Sequence, residues 1–177
     1  MNFNFSPFPV LETERLTLRE LNLEDAKAIF SLRTSKEVNK FITRNTPKNL
    51  SEARAFIDQV SNLIIDSKSV FWGIESKHNN ELIGTIGLHN IESANDYAEI
   101  GYELNPNYQQ KGFMSEALQE VVRFSFKNLE LKTIESFTHK DNNASTALLE
   151  KYNFVFQTER KDDDFDNNRI YKITNEN

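Results

Sequence analysis

The chain contains no cysteine among its 177 residues. Disulfides, thiolate metal sites and a cysteine nucleophile are therefore excluded. Histidine is scarce too. His78, His89 and His139 stand far apart and lack metal-ligand spacing, so no metal is expected. Glycine and proline are few, at 5 and 4 copies, and no Gly/Ser/Pro linker, repeat or low-complexity tract divides the chain. One domain over residues 1–177 is expected, large enough for a sizeable core. Long apolar runs are missing, and the opening Met-Asn-Phe-Asn-Phe-Ser-Pro-Phe-Pro has no basic n-region. The expectation is a cytoplasmic protein without a membrane partner.

Basic charge is also in deficit. Lys and Arg number 21 against 27 Asp and Glu, for a net charge of −6. A nucleic-acid binder needs a concentrated basic face, so no nucleic-acid partner is expected. The acidic balance mildly favours a cationic substrate such as an amine, although most acidic proteins owe their charge to solubility. With 38% apolar and 27% charged residues, the composition is that of a soluble globular protein.

Periodicity supplies the elements. Glu14-Arg-Leu-Thr-Leu-Arg-Glu-Leu21 alternates and reads as a strand. Asn22, with Asp25 three residues on, caps a helix running to about Leu32. Ala53, Phe56, Ile57, Val60, Leu63 and Ile64 share one face of a second helix between Asn49 and Ser67. Val70–Glu75 and Leu82–Leu88 form a hairpin around His78-Asn-Asn-Glu81, and Ala98–Leu104 follows as a further strand. A helix from Gly112 to about Asn128 buries Ala117, Leu118, Val121, Val122 and Phe124. Then come a strand at Thr133–Thr138, a short helix at Asn143–Lys151 with Asn153 as a left-handed cap, and strands at Phe154–Glu159 and Arg169–Ile173. The order β-α-α-β-β-β-α-β-α-β-β gives a mixed α/β (α+β) fold of six to seven strands and about four helices. Three antiparallel strands feed a βαβ crossover. Such sheets bind ligands beyond strand C-termini where direction switches, here the Leu104–Gly112 corner.

That corner carries the strongest signal. Gln109-Gln-Lys-Gly-Phe-Met114 is a polar turn that opens directly into a helix. First-turn amides have no intrahelical partner and the dipole is positive there, so an anion such as pyrophosphate fits. Taken alone, the turn is more often an ordinary helix start.

Three segments together resemble the GNAT superfamily of acetyl-CoA-dependent N-acetyltransferases. They are the 109–114 turn, similar to Q/R-x-x-G-x-G/A; the preceding strand with Pro106; and Asn143-Ala-Ser145 followed by Leu148-Leu-Glu-Lys151-Tyr-Asn-Phe154. The opening ETERLTLREL and P-x-Y-x-x-K-G-F-M-S-E-A-L look like the Rim-type branch, which acetylates ribosomal-protein N-termini. The sequence departs from the family at Met114, at Asn153 (usually glycine) and at Leu149, where many relatives carry a general-acid tyrosine.

The resemblance implies a splayed sheet and acetyl-CoA as co-substrate. Gln109, Gln110, Lys111, Gly112, Phe113 and Met114 would cradle the coenzyme pyrophosphate, with the Ser115 hydroxyl adding a contact. Tyr102, Glu103 and Leu104 would run beside the pantetheine arm, and the Leu104 N–H would face the thioester carbonyl as an oxyanion donor. Asn143 would contact the arm and Ser145 would protonate the leaving thiolate, although helix capping alone explains Asn and Ser there. Asp164 is the carboxylate favoured as base, with Glu99, Glu103 and His139 as other candidates; an acidic run such as Asp162–Asp164 is more often a solvated loop.

Acetyl would pass directly to a primary amine. An α-amine with pKa near 8 is neutral about a tenth of the time at pH 7, far more often than a lysine near 10.4. A protein N-terminal α-amine is therefore the favoured acceptor. A small amine (polyamine, amino acid or antibiotic), a non-catalytic acyl-CoA-binding module and a plain nucleotide-phosphate binder are the alternatives. A monomer or homodimer is expected.

Overall fold

A computed structural model describes residues 3–175. Its elements in chain order are β1 (Leu11–Glu12), β2 (Leu16–Arg19), α1 (Ala26–Thr34), α2 (Leu50–Ile65), β3 (Val70–Ser76), β4 (Glu81–Glu92), β5 (Tyr97–Leu104), α3 (Phe113–Lys127), β6 (Thr133–His139), α4 (Asn143–Lys151), β7 (Val155–Phe156) and β8 (Asn168–Thr174). The strands form one eight-stranded sheet in the order β1-β2-β3-β4-β5-β6-β8-β7. All neighbours are antiparallel except β5 and β6.

Helix starts follow local chemistry. Asn22 and Asp25 make a reciprocal capping box at the 3-10 turn that leads into α1. The Asn49 side chain accepts from the Glu52 N–H at the start of α2. Neighbouring strand residues point to opposite faces, and the helices divide accordingly. Trp72, fully buried, meets Phe124 of α3 edge-on at 5.7 Å. Phe71, just before it in the chain, meets Phe56 of α2 at 6.0 Å. Thus α3 covers one face of the sheet and the α1–α2 pair covers the other.

Two strand expectations change. The first strand is shorter than Glu14–Leu21, because Thr13 turns the chain and pairs Leu11–Glu12 back onto β2 as an eighth strand. The expected Phe154–Glu159 strand ends at Phe156. Beyond Gln157 the chain leaves the sheet edge, because the Arg160 guanidinium reaches over the sheet to the buried Glu135 carboxylate. Among the described residues, no helix is long and apolar enough to cross a membrane.

The consequential feature is a gap. β5 pairs with β6 only through Tyr97–Glu99 against Thr133–Glu135. Past that point β5 stays with β4 as far as Leu104, and β6 stays with β8 as far as His139. The sheet therefore splits into two wings.

Candidate active site

Hydrogen-bonding groups alternate sides along a strand. The Asn105 N–H donates to Ile83 O, on the β4 side. The N–H groups of Leu104 and Tyr102 therefore point the other way, into the gap. The Leu104 carbonyl is partly satisfied, because it accepts the Gln109 side-chain amide at 3.0 Å.

The 109–112 turn brings the helix start to this gap. Gln110 and Gly112 both have positive φ, 59° and 82°. A residue with a side chain is strained at Gly112 by that φ, even though an added Cβ would meet only the Arg15 guanidinium, at 3.3 Å. Gly112 provides no side-chain cap for α3. The amides from Gln110 to Ser115 meet no protein acceptor among the described residues. Six adjacent donors, in a turn of alternating conformation at a positive helix end, form an anion cradle.

The first turn of α3 is held to the β1–β2 turn. The Arg15 guanidinium donates to Glu116 at 2.7 Å and to Lys111 O at 3.0 Å. The Thr13 hydroxyl and the Arg15 N–H also donate to Glu116, at 2.5 and 2.8 Å. Burial alone would raise the Glu116 carboxyl, but these donors hold it below its ordinary range.

A cavity of about 450 Å³ joins these parts. Tyr102, Leu104, Gln109, Gln110, Gly112, Phe113, Met114, Ser115 and Ser145 line it, as do Glu103 and the α1–α2 connection at Glu37, Val38, Phe41 and Ile42. Tyr102 and Leu104 belong to the α3 face and Glu103 to the α1–α2 face, so the cavity passes through the split sheet. On the far side Phe41 stacks on His139 at 5.3 Å. Glu103 is buried, ion-paired to Arg44, and accepts from the Thr85 hydroxyl at 3.3 Å.

Inside the cavity the Tyr102 and Ser145 hydroxyls lie 2.9 Å apart. Burial pushes the Tyr102 phenol up to about 12, against a smaller downward pull from the Ser145 bond.

Among the candidate residues, Lys111 lies outside the lining, with its ammonium on Asn107 O at 2.7 Å. Asn143 is exposed and also lies outside it. Asn142 fills the capping role instead: it lines the cavity and accepts from the Ser145 N–H at 3.2 Å. Asp164 lines a second cavity of about 530 Å³, together with Glu99, Glu135 and Arg160. In that second cavity burial tends to raise Glu99, yet bonds from His89 and Asn90 bring its carboxyl below the ordinary range. Glu103 is thus the one base candidate that lines the first cavity; His139 reaches its edge through Phe41. Glu37, Asn142 and Arg44 carry no periodic or motif signal that would have marked them in advance. No group of acidic or histidine side chains suited to a metal occurs among the described residues.

Comparison with known proteins agrees with this geometry. Residues 15–155 match the family model described as an acetyltransferase (GNAT) domain. The chain is 38% identical over 83% of its length to YoaA of Bacillus subtilis (strain 168), an uncharacterized N-acetyltransferase, of which it covers 83%. In structure it is similar to a Vibrio cholerae protein taken to be a ribosomal-protein-serine acetyltransferase, with TM-score 0.82, 20% identity and coverage of 96% of this chain and 99% of that one. It is likewise similar to RimL, a ribosomal L7/L12 α-N-protein acetyltransferase solved with coenzyme A, with TM-score 0.79, 20% identity and coverage of 94% and 98%. A split sheet, an open amide cradle and a cavity running between them thus coincide with a family match over most of the chain, which belongs to the GNAT acetyltransferase family and is an acyltransferase.

Proposed function

We propose that this enzyme moves acetyl from acetyl-CoA directly to a protein N-terminal α-amine. The observation that carries the reading is the cavity open to both sheet faces, with free amides on one side and the α1–α2 connection on the other. The Gln110–Ser115 amides would hold the pyrophosphate. The backbone of Tyr102–Leu104, bare toward β6, would lie along the pantetheine arm. Acetyl-CoA supplies the activated acyl group, and this chain's residues orient it and exclude water. The Leu104 N–H would donate to the developing oxyanion, a role typically worth about 3 kcal/mol. Ser145 would give a proton to the departing thiolate.

The acceptor would enter from the α1–α2 side, past Glu37, Phe41 and His139. Glu103 is held by Arg44, an arrangement that suits orienting an ammonium or water more than free proton exchange. With no strong base in reach, an amine that is already partly neutral is favoured, and α-amines meet that need better than lysines. The fold likeness to RimL supports the same acceptor class.

The test is thiol release from acetyl-CoA across peptides with free α-amines, α-blocked lysine peptides and polyamines, amino acids and aminoglycosides. Peptide α-amines should turn over at least about tenfold faster than blocked lysine peptides, following the difference in neutral fraction. Faster turnover of a small amine would move the assignment to that class.

A further inference from the structure

Two hydroxyls share one hydrogen bond in the cavity, and neither has another partner among the described residues. Each oxygen carries one proton. Whichever hydroxyl donates to the other, the acceptor's own proton stays uncommitted. A Tyr–Ser pair therefore always keeps one O–H free. Both side chains line the cavity, so the free proton is available inside it.

The two walls contribute differently. Ser145 sits in the first turn of α4, fixed by the Asn142 cap. Leu149, one turn later, is fully buried and apolar, so α4 offers no phenol of its own. Tyr102 comes from β5, at the lip of the gap, two residues before Leu104. The charged side chains lining the same cavity are Glu37, Glu103 and Lys151.

We propose that Tyr102 is a further catalytic residue of this acyltransferase: paired with Ser145, it forms the hydroxyl donor that receives the coenzyme thiolate. The inference rests on the acetyl-CoA reading of the cavity. The amine nitrogen bonds to the thioester carbon and the carbon–sulfur bond breaks. Sulfur takes the uncommitted hydroxyl proton. The pair is restored by the proton that nitrogen sheds on becoming an amide, so the products are the amide and the free thiol. Neither oxygen needs to carry charge for long, which suits a buried phenol that holds its proton well above neutrality.

The readout is the titration of the coenzyme A thiol when bound, followed by NMR of coenzyme A labelled at the carbon bonded to sulfur. Tyr102→Phe keeps the ring and removes the hydroxyl; Ser145→Ala removes the other half. Each variant should bind coenzyme A and raise the bound thiol's pKa by about one unit, because a lone hydroxyl lacks the hydrogen-bonded partner that polarises and aims its proton at the thiolate. Turnover with acetyl-CoA should fall about 100-fold. That defect should shrink to within about threefold with the selenoester analogue, whose more acidic leaving group needs less proton assistance. An unchanged thiol titration in both variants, or an undiminished defect with the selenoester, would overturn the pair's role while leaving coenzyme binding intact. Failure of the unmodified protein to bind coenzyme A would overturn the acetyl-CoA reading as well.

Discussion

Gly112 opens α3 in the left-handed conformation, at the lining of the candidate site. Its φ is 82°, and an added Cβ would meet only the Arg15 guanidinium, at 3.3 Å. A substitution acts through backbone strain more than through crowding. Gly112→Val should cost about 1–2 kcal/mol of stability and leave the fold in place. It should also abolish the thermal stabilisation given by coenzyme A, which for an intact site reaches about 2.7 kcal/mol at a hundred times Kd. Differential scanning fluorimetry with and without coenzyme checks both. Stabilisation that survives the substitution would remove this turn from the site. The glycine was legible in the sequence only in company with the strand before it and the Asn143–Phe154 segment, since such a turn alone is more often an ordinary helix start. Asn143, by contrast, was read as a cap of α4, and the cap is its neighbour Asn142. Two adjacent asparagines look alike in sequence, and only the backbone decides that Asn142 caps α4 and faces the cavity.

Among the elements, α3 depends on its tie to the β1–β2 turn. Glu116 gathers the Thr13 hydroxyl, the Arg15 amide and the Arg15 guanidinium. Its pKa is lowered in the folded state. A lowered carboxylate contributes its full stability above the unfolded value, near 4.3, and loses it as pH falls through the folded value. Glu116→Gln should therefore destabilise by about 1 kcal/mol at neutral pH. The gap to the unmodified protein should narrow steadily in urea titrations taken from pH 5 toward pH 3. A difference that stays constant across that range would show that the interaction is not ionic. This tie was invisible beforehand, because its partners lie about a hundred residues apart and no local pattern links them. The two-residue β1 and β7 were missed or overextended for a related reason. Strands that short carry no alternation, and their pairing is set by a turn at Thr13 and by Arg160 reaching Glu135.

At the scale of the whole molecule, amphipathic periodicity gave all four helices and the strands with clear alternation, since each must bury one stripe or face. The parallel β5–β6 pair was expected from the crossover around α3, whereas the gap beyond Glu99 was expected only from the family resemblance. The acceptor side was the least legible part. The 37–44 connection is irregular, so Glu37, Phe41 and Arg44 reach the cavity and its surroundings through tertiary packing alone. Asp164, favoured as base, instead lines a second cavity beside the Arg160–Glu135 pair.

The account as a whole requires that coenzyme A sit on the Gln110–Ser115 amides with its arm along the open edge of β5. Amide NMR during titration with acetyl-CoA tests this most directly. The N–H signals of Gln110 through Ser115, together with those of Tyr102 and Leu104, should move furthest and become protected from solvent exchange. Shifts centred on Glu99, Glu135 and Asp164 at the second cavity, with the 110–115 amides unmoved, would contradict it.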